Sequence, residues 1–94
     1  MITRIIKVKI KPEHLEAFKK YIIQFLKEAR DYKNIHHADC FADLDEQFHF
    51  HIYTIWQTEG ALNKFRRTET NLTLKNNLKE WCSSPYAAWT VENI

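Results

Sequence analysis

From Phe48 to Trp56 the chain reads Phe-His-Phe-His-Ile-Tyr-Thr-Ile-Trp, with large side chains on both alternating sets. One set holds Phe48, Phe50, Ile52, Thr54 and Trp56, and the other His49, His51, Tyr53 and Ile55. A strand that is buried on both faces has this pattern. Residues 2–10 alternate more simply, with Ile2, Arg4, Ile6, Val8 and Ile10 on one side and Thr3, Ile5, Lys7 and Lys9 on the other. This predicts a half-buried strand. Between residues 12 and 32 the period changes: Leu15, Phe18, Ile22, Phe25 and Ala29 recur every three or four positions. Pro12 and Glu13 suit a helix start, so the segment is predicted as an amphipathic helix.

The remaining elements follow by the same signals. Residues 35–43 alternate small Ala38, Cys40 and Ala42 with His37, Asp39 and Phe41, as an edge strand would. Residues 44–47 form a turn, and Thr58 is placed as an N-cap for Ala61, Leu62 and Phe65. After the polar run 67–70, Leu74, Leu78, Trp81 and Cys82 resume a helical face that Ser83-Ser84-Pro85 ends, and residues 86–93 close as a strand. Right-handed crossovers then fold this order into a ferredoxin-like four-stranded antiparallel sheet of the α+β class, helices on one face and the first and third strands central. The helices cannot cover the other face. A homodimer packing sheet against sheet is therefore expected.

With 94 residues, 45% hydrophobic and 14% aromatic, the chain is a single globular domain, 1–94. The net charge is +2 and the basic residues are scattered, which does not suit a nucleic-acid partner. No apolar stretch is long enough for a membrane span or a leader, so the expected place is the cytosol. Cys40 and Cys82 fit no metal-finger spacing and are expected as buried thiols.

Pairing Asp43 with Phe48 across the turn sets Phe41 opposite Phe50, Asp39 opposite Ile52 and His37 opposite Thr54. Arg4, on the apolar side of the first strand, then comes near Thr54 and Trp56. In this register Arg4, His37, Thr54 and Trp56 line one end of the space between sheet and helices, and the helix after Trp56 adds Phe65 or Arg66. Convergent polar groups in an apolar recess make a small-molecule pocket. The opposite face gathers His36, Cys40, His49 and His51, but at no recurrent ligand spacing, and no metal is assigned.

The run from Phe48 through Trp56 to Gly60-Ala61-Leu62-Asn63-Lys64-Phe65 resembles the signature of the antibiotic biosynthesis monooxygenase family. That resemblance implies a dimeric α/β barrel with one pocket per subunit. It also implies oxidation of quinols or related hydroxyaromatics without a cofactor, the substrate itself supplying electrons to oxygen. In those terms His37 is the base, Arg4 or Arg66 the oxyanion stabiliser, Thr54 a hydrogen bonder and Trp56 the wall of the pocket. The chain departs from the family pattern in carrying Thr54 where members often have Glu, and in having no His after His51. A haem-degrading branch uses a first-strand Asn and a helical His, and this chain has neither. The alternative to an enzyme is a dimer of the same fold that binds a small ligand without turning it over.

Overall fold

The two most strongly alternating segments become the centre of the sheet. In the computed structural model, which describes residues 1–94, β1 (Ile2–Lys9) pairs with β3 (His49–Trp56), flanked by β2 (Ile35–Ala42) and β4 (Ala87–Glu92). The order is β2-β3-β1-β4 and every pairing is antiparallel. The helices α1 (Leu15–Arg30), α2 (Glu59–Arg66) and α3 (Glu69–Trp81) complete a ferredoxin-like α+β fold. A short 3-10 turn at Pro12–His14 leads into α1, and Thr58 caps α2 by accepting the Ala61 amide at 3.1 Å, as the sequence predicts. Thr68 caps α3 in the same way, so the polar run splits one helical region into two.

The helix-facing side of the sheet carries the core. Val8, Ile52 and Trp56 are buried there, with Phe18 packed on Phe50 and Phe65 on Trp56, each ring pair 4.9 Å apart between centroids. Helix α3 is tied to the end of β1 by the Lys11 amide donating to the Trp81 carbonyl and the Ser83 amide to that of Lys9, at 2.8 and 2.9 Å. These bonds fix where residues 83–86 run. No helix is long and apolar enough to cross a membrane.

The β2–β3 register differs by one residue from the sequence expectation. Ala42 pairs with Phe50, Cys40 with Ile52 and Ala38 with Thr54, so the small residues face the helices. His37, Asp39 and Phe41 fall on the open side. A one-residue shift inverts a whole strand face. Its cause lies in the connection: the Asp43 carboxylate accepts the amides of Asp45 and Glu46 at 2.8 and 3.0 Å, and Phe48 takes a left-handed backbone at φ 66°. Phe48 thereby leaves the ladder, and the Asp43 amide reaches the carbonyl of His49 instead. Packing agrees with this register, since Ala38 is fully buried where α1 crosses β2 and Ala29 is fully buried on the helix.

Candidate functional site

A cavity of about 390 Å³ lies between the sheet and helices α2 and α3. Its floor is set by strand pairing, because Arg4 is the register partner of Thr54 and both point to the helix side with Ile6. Helix α2 contributes Phe65 and Arg66, and α3 contributes Asn71, Leu74, Lys75 and Leu78. The segment after α3 adds Tyr86. The sequence reading thus brings Arg4, Thr54, Phe65 and Arg66 to one place, and the structure does the same.

Charge in this cavity is one-sided. Arg4 donates from Nη1 to the Thr90 hydroxyl at 3.0 Å, which anchors its guanidinium against β4. The ion pairs of the molecule join Arg30 to Asp39, His37 to Asp39, His49 to Glu46 and His51 to Asp43, and neither Arg4 nor Arg66 takes part. Burial lowers the Arg4 pKa, the nearby Arg66 lowers it further, and Tyr86 opposes both. No carboxylate lines the cavity. Two guanidiniums and the Thr54 hydroxyl among apolar walls can hold a planar oxyanion.

Two expected members stand elsewhere. His37 is on the open face, paired with Asp39, which also meets Arg30 at 3.1 Å. Arg30 further donates to the Ala38 carbonyl at 2.7 Å, so this group closes the β2 edge. The expectation that His37 converges with Arg4 and Thr54 is corrected by the register shift. Trp56 is fully buried and does not line the Arg4 cavity; it stacks on Phe65, which does. Its indole N–H is buried without a partner, beside a smaller hollow formed with Tyr32, Asn34 and Lys64. The face proposed to gather His36, Cys40, His49 and His51 is dispersed as well, since Cys40 turns to the helix side while His49 and His51 do not. Burial, with Asp39 nearby, pushes the Cys40 thiol up to about 12.

Sequence reasoning missed Asn71, Lys75 and Tyr86. A signal for the first two existed: Asn71, Leu74, Lys75 and Leu78 recur at i, i+3, i+4 and i+7, one face of a helix. Asn71 is buried and donates to the Arg66 carbonyl at 3.2 Å, joining the end of α2 to α3 behind the cavity.

The geometry has close counterparts among solved structures. A putative antibiotic biosynthesis monooxygenase from Nitrosomonas europaea superposes with a TM-score of 0.91 at 18% identity, covering 100% of this chain and 99% of that one. One from Deinococcus radiodurans gives 0.91 at 16%, covering 99% and 92%. A conserved protein from Methanosarcina mazei gives 0.91 at 16%, covering 100% and 94%. At these identities the likeness concerns the fold. No curated protein matches in sequence. The model of the antibiotic biosynthesis monooxygenase family matches residues 1–74, most of the chain including β1, β3 and α2, and the protein belongs to that family.

Proposed function

We propose that the protein is a cofactor-independent monooxygenase of quinols or related hydroxyaromatics, acting in the cytosol as a homodimer. The observation that carries this reading is the cavity between sheet and helices in which Arg4 and, at its exposed rim, Arg66, both without carboxylate partners, overlook apolar walls. The substrate lies flat against Phe65 and Leu74, with its ionised hydroxyl toward Arg4, Arg66 and the Thr54 hydroxyl. Ionisation makes the ring electron-rich enough to reduce dioxygen. In the overall balance a quinol and dioxygen give a hydroxyquinone and water: one oxygen atom bonds to a ring carbon, the other leaves as water, and all four electrons come from the quinol.

No histidine or carboxylate lines the cavity to take the phenolic proton. The arginines do the equivalent work by favouring the charged form of the bound hydroxyl, so the proton passes to solvent as the substrate enters. Trp56 is the support for Phe65 rather than a contact for substrate.

The homodimer rests on the open sheet face, where Phe41 is 51% exposed and Trp89 and Val91 are each 44% exposed. Ile5, Tyr53 and Ile55 share that face, and so do His49 and His51. Apolar surface of this extent calls for a cover, and a second copy supplies a matching one. The function is tested with an oxygen electrode and a panel of naphthoquinols in the presence of a chelator. Oxygen uptake above autoxidation, reduced at least ~10²-fold in Arg66→Gln as for loss of an oxyanion donor, is the expected result. Ligand binding with no uptake for any quinol would favour the alternative, a ligand-binding dimer.

A further inference from the structure

A second hollow, about 930 Å³, adjoins the cavity between α3 and residues 82–86. Lys75, Leu78 and Tyr86 line both, so they form a shared boundary between an inner recess and an outer groove. The groove adds Lys79 and again no acidic side chain. Across the two hollows stand Arg4, Arg66, Lys75 and Lys79, without one of the chain's 12 Asp and Glu residues. A mixed surface that scatters its charges elsewhere has here been cleared of negative ones. Bringing like charges together costs stability, most for Arg4, the one of the four that is partly buried. An anion bound beside Arg4 and Arg66 would relieve it.

We infer that the cavity prefers ligands that bind as anions: planar aromatics bearing a ring carboxylate or a readily ionised hydroxyl, drawn in past Lys79 and Lys75 and held by Arg4 and Arg66. This rests on the reading of the cavity as the substrate site and narrows the substrate class. It excludes neutral polycyclic hydrocarbons and cationic aromatics. Phe65, Leu74 and Leu78 supply the apolar contact, and the paired guanidiniums supply the discrimination. The lowered Arg4 pKa agrees, since burial and then Arg66 act against its charge, with Tyr86 opposing both.

The test compares 1-hydroxy-2-naphthoate with its neutral isostere 1-hydroxy-2-naphthamide by calorimetry at pH 7 on the full chain. The naphthoate should bind at least about tenfold more tightly, the scale of one hydrogen bond to a charged group. Arg66→Gln should bring the two ligands to within about threefold of each other, whereas Lys19→Gln, which removes one charge from the exposed side of α1, should leave the preference intact. Raised salt should weaken the naphthoate alone. Arg4→Gln is the second variant; should it fail to fold, Arg66, exposed at the end of α2, carries the test by itself. Equal affinity for acid and amide, or a preference untouched by Arg66→Gln, would overturn the inference. A strong anion preference without oxygen uptake upholds it while the oxygenase reading fails. Oxygen uptake on neutral quinols with no anion preference does the reverse.

Discussion

His37 shows how a single backbone torsion redirects a functional reading. Its assignment as a base depended on pairing it with Thr54, and the left-handed Phe48 moves it to Ile55 and the open face. His37→Ala should therefore keep turnover within about twofold, against the ~10²-fold loss expected for a positioned base. Steady-state oxygen uptake separates these outcomes. Trp56, by contrast, is legible from sequence as a large residue ending a strand, but not as one lying behind Phe65. Trp56→Ala should cost about 3 kcal/mol or more in denaturant unfolding, because it opens a cavity in a fully buried cluster. Asp43 gives a pH signature. A hydrogen bond from His51, then the amides of Asp45 and Glu46, hold its carboxyl at about 2, below its usual 3.8. A depressed carboxylate contributes stability that is present above the unfolded value and lost as pH falls from about 4 toward 2. Thermal melts of Asp43→Asn should show a shallower fall through that window than wild type, and an identical slope would mean the interaction persists unfolded.

At the scale of elements, the alternation of residues 49–56, the three-and-four spacing of α1 and the Thr58 cap were all readable, because each follows from local geometry. The β2 register was not. Ala38, Cys40 and Ala42 are too small to announce a buried face, and Phe41 is large enough to suggest one falsely. The burial of Ala38 follows from the approach of α1, a tertiary fact. Ala38→Leu tests the register: against α1 it should destabilise by about 1–3 kcal/mol through overpacking, whereas on an open face it would be neutral. Chemical denaturation measures the difference. The α3 side of the cavity was readable in principle from Asn71, Leu74, Lys75 and Leu78, yet a polar pair on a helix looks like a solvated face until β1 and α2 are placed beside it.

The whole molecule joins an inward cavity of one sign to an outward apolar sheet, and each makes sense of a different part of the sequence. The doubly apolar β3 needs cover on both sides, which one chain of 94 residues supplies on one. On the proposed homodimer, Trp89→Glu on the open face should shift sedimentation toward monomer by weakening association at least about tenfold, as expected for a charge placed in a closed interface. The cavity, in turn, accounts for the absence of a carboxylate at the position of Thr54: an acid there would neutralise Arg4, its partner in the neighbouring strand being so close. The most direct measurement is oxidation of a naphthoquinol under ¹⁸O₂, with product analysed by mass spectrometry in wild type and Arg66→Gln. One labelled atom in the hydroxyquinone, formed well above the protein-free rate and lost with Arg66, is the result expected. Product that carries no ¹⁸O at the new hydroxyl, or that forms equally in both proteins, would contradict the assignment of this cavity as the site of oxygen insertion.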